Sequence, residues 1–210
     1  MNLSSSNYSD LARLSECHQS AFPKSLSSRM GKNYLCKMLE WYIVSPKAFI
    51  FHLVVDNEVV GYCGGLVVDG ELATGSASAM TQYSFNSAVK SILMRPWLLF
   101  HGELLKKYSF VLRNLLYRFK KPEISEAEKS EKKLDPYTGL VVIGVNQKFH
   151  GIGYGSFLLQ EFEKRTKNIG LNKMLLTVKS DNDKAIKSYL RNGWEKAKLD
   201  SGSLQMVKYI

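Results

Sequence analysis

Two short stretches of this 210-residue chain combine residue types and spacings that can do chemistry. The first is His150-Gly151-Ile152-Gly153-Tyr154-Gly155-Ser156, which follows a β-branched run and opens an apolar-periodic segment. Strand, glycine-rich turn, helix is an order that leaves main-chain N–H groups pointing outward and lets a ligand approach the backbone closely. The aligned peptide dipoles favour an anion there by about 0.3–1 kcal/mol per contact. A diphosphate fits over residues 151–156. The spacing G-x-G-x-G departs from the dinucleotide pattern and no G-K-[ST] follows, so neither a dinucleotide nor a P-loop reading holds. On the glycines alone, a tight strand-to-helix connection is an equal reading.

The second stretch spaces Asn182, Ala185, Tyr189, Gly193 and Trp194 as N-x-x-A-x-x-x-Y-x-x-x-G-W. It sets a phenol one helical turn past a small residue, where it could protonate a leaving group. A lone helical tyrosine more often packs its ring and exposes its hydroxyl. Ala185 suits close helix–sheet packing, and Trp194 reads as core.

Together the two stretches resemble the signature motifs of the GNAT family of acetyl-CoA-dependent N-acetyltransferases. The family's pyrophosphate motif, Q/R-x-x-G-x-G/A, stands here as His150, Gly151, Ile152, Gly153, Tyr154 and Gly155, with His150 replacing the leading Gln or Arg. The backbone cradle is kept. The resemblance implies an α/β fold: a mixed, mostly antiparallel sheet flanked by helices, with a helical insertion before the central strand. It implies that Ile143, Gly144 and Val145 lie on a strand that splays from its neighbour and pairs with the pantetheine arm. A main-chain N–H there would polarise the thioester carbonyl, and Gly144 is expected to make a bulge easy. Asn182 would steady the pantetheine or the strand–helix junction, and Tyr189 would protonate the departing thiolate.

The activity so implied is direct transfer of acetyl from acetyl-CoA to a primary amine in a ternary complex, without metal. The favoured acceptor is a small amine such as an amino sugar. The alternatives are a protein N-terminus or lysine, or a non-catalytic acyl-CoA-binding module. Residues 137–145 contain no carboxylate, so the general base is not readable. His18, Glu40, His52 and Asp135 are candidates only in that they could reach a central cleft.

The elements that must position these groups follow from periodicity and punctuation. Helices are expected over residues 8–21, with Asn7 and Asp10 as caps, and over about 31–42. Strands at 49–55 and 58–68 flank an Asp56-Asn57 turn, and Gly61, Gly64 and Gly65 suggest a bulge or a close backbone neighbour. Residues 86–121 read as a long helical stretch interrupted by Pro96, with eight basic side chains against Glu103 alone, a net +7. A polar linker is expected at 123–133. A strand at 140–145 precedes the glycine turn, and a helix runs from it to about Ile169, stopped by Gly170. A strand at 174–178, a helix at 183–191 and two short strands near 195–199 and 204–209 complete the chain. The whole reads as one domain, 1–210, with about 75–135 a basic insertion. Its basic stretch is either a solvated helix pair or a contact for an acidic acceptor or an anionic surface.

A net charge of +10 suits an anionic ligand, and no recognition motif supports nucleic acid. Cys17, Cys36 and Cys63 show neither a disulfide framework nor metal-like grouping, and none is near either motif in sequence, which argues against an acetyl-cysteine route. No secretory signal or membrane-length apolar run is evident, so a cytoplasmic location is expected.

Overall fold

The computed structural model describes residues 1–69, 76–106 and 135–210. Strand β1 (Asn2–Ser5) leads to a capping box, in which Asn7 accepts from the Ser9 N–H and Asp10 accepts from the Asn7 N–H. Helices α1 (Leu11–Ala21), α2 (Leu26–Met30) and α3 (Lys32–Val44) follow. Strands β2 (Ala48–Val55) and β3 (Glu58–Val68) form a hairpin. Its Asp56 and Asn57 adopt φ of 48° and 61°, matching the twist of the strands they join.

Helices α4 (Ser76–Tyr83) and α5 (Phe85–Met94), a 3₁₀ turn at Pro96–Phe100 and α6 (Gly102–Lys106) form the described part of the insertion region. Then come β4 (Tyr137–Val145), α7 (Tyr154–Asn168), β5 (Lys173–Lys179), α8 (Asp183–Arg191), β6 (Glu195–Asp200) and β7 (Ser203–Tyr209).

The seven strands lie in the order β1-β2-β3-β4-β5-β7-β6, and only β4 and β5 run parallel. That parallel pair is short, matching Thr138, Gly139 and Leu140 with Met174, Leu175 and Leu176. The next residue of β4, Val141, is an extra one: Gly65 pairs with Leu140 while Gly64 pairs with Val142. A bulge increases local twist and bends its strand, so β4 leaves β5 where the bulge begins. Gly64 and Gly65 sit opposite it because rings already fill the space of their side chains. A Cβ on Gly65 would lie 2.5 Å from Phe162, and one on Gly64 would lie 2.9 Å from Tyr42.

Helices cover both faces of the sheet. On one, Leu158, Leu159 and Phe162 of α7 pack on Phe51, Leu53 and Cys63. On the other, Leu35, Leu39 and Tyr42 of α3 join Leu14 of α1 against Ile50 and Tyr62. The periodic stripes expected for these helices are the buried ones.

One expectation is corrected. The bulge is at Val141, whereas Gly144 pairs regularly with Tyr62. The interruption expected at Pro96 in the stretch from Asn86 is present: α5 ends at Met94, because Pro96 lacks an N–H and forces Arg95 out of helical geometry, to φ −138°, ψ 69°. The rest of that stretch, residues 107–121, and the linker at 123–133 lie outside the described residues. Strand β1 and helix α2 were not expected at all. Among the described residues, no helix is long and apolar enough to cross a membrane.

Candidate active site

Where β4 parts from β5, a cavity of about 420 Å³ opens. Its floor is Ile143, Gly144 and Val145 at the end of β4, and one wall is the glycine turn with the start of α7. The turn is built for an anion. Gly151 and Gly153 take φ of 84° and 100°, and a Cβ on either would meet nothing within 4 Å. Helix α7 has no side-chain cap, and its first main-chain bond runs from the Phe157 N–H to the Gly153 carbonyl, 3.1 Å. The N–H groups of Gly153, Tyr154, Gly155 and Ser156 carry no main-chain acceptor among the described residues. They are free donors at the positive end of a 15-residue helix.

The departure from the motif at His150 has a local consequence. Its Nε2–H donates to the Val145 carbonyl at 2.9 Å, tying the turn back onto the end of β4. Asn146, buried between them, holds the same corner. Its side chain accepts from Ser20 of α1 at 2.8 Å and donates to Glu58 of β3 at 3.2 Å.

The opposite wall comes from α8. Asn182 accepts from the Ala185 N–H at 3.2 Å, so its amide is the cap of α8 and fixes the strand–helix junction. Tyr189 stands on the cavity side of α8, half-buried, its ring edge-on to Trp194 with centroids 6.1 Å apart. Burial pushes its phenol up to about 12, and the nearby Cys63 thiol acts in the same direction. The two motifs are joined directly, because Asn192 donates to the Ser156 hydroxyl at 3.1 Å.

Of the twelve residues singled out in the sequence, eleven line this cavity. The exception is Ile152, whose side chain is exposed away from it. Trp194 is buried in the core. The base candidates are scattered. Glu40 pairs with Lys37, Asp135 with Lys173, and His52 is buried near β1 with Ser6 on its Nδ1 at 2.8 Å. His18 is nearer, one turn before Ala21 and Phe22, which line the cavity. It is buried between Tyr62 and Ser27, and burial lowers it to about 4. The separation of cysteines from the motifs does not survive folding, since Cys63 pairs across the sheet with Ile143. Its thiol is fully buried, and burial holds it protonated.

Comparison with known proteins gives this corner its setting. Residues 128–194 match the model of the Acetyltransferase (GNAT) family. That match covers β4, the glycine turn, α7, β5 and α8, the elements that carry both motifs. The GNAT fold extends over all of it. The PaiA N-acetyltransferase of Thermoplasma acidophilum, solved with coenzyme A, superposes with a TM-score of 0.59 at 12% identity, covering 100% of both chains. The ribosomal-protein-S18-alanine N-acetyltransferase of Escherichia coli gives 0.55 at 14%, covering 100% of this chain and 93% of that one. Naa20 of Chaetomium thermophilum, solved with a bisubstrate analogue, gives 0.56 at 14%, covering 100% and 87%. No curated protein sequence matches the chain. Family and fold together indicate an acyltransferase.

The cavity also has lining residues that the sequence did not mark. Ala21 and Phe22 wall the cavity from the end of α1, and Gly144 is what lets them approach. A Cβ there would lie 2.9 Å from Tyr62, 3.0 Å from Phe22 and 3.2 Å from Ala21. Lys184 and Arg191 bring positive charge to the rim from α8. Nothing in their spacing marks them, because their placement depends on where α8 packs. Among the described residues, no three His, Cys, Asp or Glu side chains group as a metal site.

Proposed function

We propose that the protein transfers the acetyl group of acetyl-CoA directly to a primary amine. One observation carries this reading. The free amides of α7, the unpaired stretch of β4 and the Tyr189 phenol all face one cavity. The amides from Gly151 to Ser156 would hold the diphosphate, with Lys184 and Arg191 adding charge. The β4 edge at Ile143, Gly144 and Val145 would pair with the pantetheine arm and donate to the thioester carbonyl. The amine nitrogen attacks that carbon, the C–S bond breaks, and the sulfur leaves with the electron pair. Tyr189 supplies the proton that makes it a thiol, and the proton lost by the amine balances it. A phenol near 12 stays neutral through the working pH range, so it keeps its proton until charge develops on sulfur.

The whole chain is read as one such domain, with residues 75–135 an addition beside the core. Phe22 and Ala21 line the same cavity from the end of α1, and we read the α1–α2 connection as the acceptor side. A small amine such as an amino sugar is the acceptor class we favour, since the basic insertion suits a phosphorylated one. CoA release against a panel of nucleotide-linked amino sugars, polyamines and peptides tests this. Turnover on peptides alone would sink the sugar reading. Tight acetyl-CoA binding without turnover on any amine would make the chain a binding module.

A further inference from the structure

Helix α5 carries apolar side chains on its outward face. Its outward stripe runs Asn86, Val89, Lys90, Leu93, Met94, at the i, i+3, i+4, i+7, i+8 spacing of one helical face. Leu93 is 77% exposed, and the turn after the helix adds Trp97 at 64% and Phe100 at 80%. The side packed on the domain carries the buried Ser91, with Ser84 buried at the cap and Ala88 and Ile92 half-buried. An ordinary surface helix keeps its outward stripe polar. Exposed large apolar side chains gathered on one short segment mark a surface made for contact.

The charge around this face says what kind of contact. Lys90 lies on the exposed stripe itself, and Arg95 follows the end of the helix. Beside the stripe is a cleft of about 310 Å³ at the start of α3, lined by Lys32, Lys90, Arg95, Ser91 and Met94. The positive helix end and three cationic side chains converge there. Among the described residues Lys32 is the one of these with a carboxylate partner, Glu16 at 2.7 Å, while Arg95 donates to the Met30 carbonyl at 2.9 Å. Inside the cleft, Ser91 is 7% exposed. A second copy of the chain would bring two such positive faces together, and like charges oppose that. A partner that is both anionic and apolar just below its surface satisfies both features.

We infer that the outward face of α5 and the Pro96–Phe100 turn dock on an anionic phospholipid bilayer. Leu93, Trp97 and Phe100 enter the boundary between headgroups and acyl chains, and the Lys90–Arg95 cleft faces lipid phosphate. This does not depend on the acceptor or on catalysis.

Trp97 provides the readout, because Trp41 and Trp194 are buried. The full chain is mixed with vesicles of phosphatidylcholine alone, or with about 30% phosphatidylserine added to supply the negative surface. It should sediment with the anionic vesicles only, shift its tryptophan emission to the blue, and release as salt rises. Leu93→Ser with Phe100→Ser keeps the reporter and should weaken binding by about tenfold or more. Lys90→Ala should weaken it by about fivefold. Unchanged acetyl-CoA binding by the variants shows that they fold. The inference is overturned by failure to sediment with anionic vesicles, by equal binding to neutral ones, or by full binding of the double variant. Concentration-dependent dimers without vesicle binding would assign the face to a second copy instead.

Discussion

Helices α7 and α3 cover opposite faces of the sheet and begin in the same way, yet only one start opens on a candidate reaction site. Each follows a glycine at positive φ, Gly153 at 100° and Gly31 at 93°, and neither has a side-chain cap. A Cβ on Gly153 would meet nothing within 4 Å, whereas one on Gly31 would lie 2.9 Å from the Arg95 guanidinium. The first start is open to an anion and stands across a cavity from a phenol. The second opens on the cleft beside α5, with the Arg95 guanidinium over it and no phenol across from it. Free amides at a helix start are therefore a general resource, and what the fold sets in front of them decides their use.

The contrast can be broken most sharply from the side facing the α7 start. Tyr189→Phe removes the proton donor and keeps the ring, so turnover should fall by about 10²–10⁴ with acetyl-CoA affinity retained. Steady-state kinetics beside calorimetry separates the two, and unchanged turnover would leave that cavity a binding site only. The wild-type rate should show no alkaline loss from Tyr189 up to about pH 10, because burial holds the phenol protonated to about 12.

Next in size is Gly153→Val, which strains the turn and puts methyl groups where glycine leaves space. We expect the Kd for acetyl-CoA to rise by about 10–100-fold. The matching change on the other face, Gly31→Ala, should instead appear in stability, lowering the unfolding free energy by about 1–3 kcal/mol without weakening acetyl-CoA. If the two variants swapped readouts, the distinction between the two helix starts would be wrong.

The face under α3 and α1 also carries an acid sensitivity. His18 is held near 4 by burial but titrates near 6.5 when unfolded, so the unfolded chain binds the extra proton between those values. Stability is full above about 6.5 and is lost as pH falls toward 4. By pH 4.5 the loss from this group is about 2–3 kcal/mol. Urea titrations at pH 7 and 4.5 should show that loss in the wild type and a smaller one in His18→Gln. The smallest expected effect is at the α8 cap, where Asn182→Ala should cost about 1 kcal/mol in stability.

Much of this was legible along the chain because it is local. The Asp56-Asn57 turn, the stripes of α3 and α7, the stop at Gly170 and the Asn182–Trp194 spacing each depend on residues within a turn or two of one another. Strand β1 was missed because Asn2–Ser5 has no β-branched residue, and it is a strand only through pairing with β2. The interruption at Pro96 was legible because proline acts on its own backbone and that of the residue before it. The bulge was foreseen from the glycines of β3 but assigned to the wrong residue of β4. Rings from α3, β2 and α7 fix it, and those meet only after folding.

The sequence by itself determined the local devices: a turn that exposes amides, a helix that carries a phenol, and the apolar stripes of α3 and α7. Only tertiary structure decided that β4 leaves β5 after Leu140, that Cys63 lies beside Ile143, and that Phe22 lines the cavity from α1. Backbone conformation and short-range periodicity are set by neighbouring residues. Where a strand bends, and which helix end is left open, depends on contacts between residues dozens of positions apart, which no local pattern encodes.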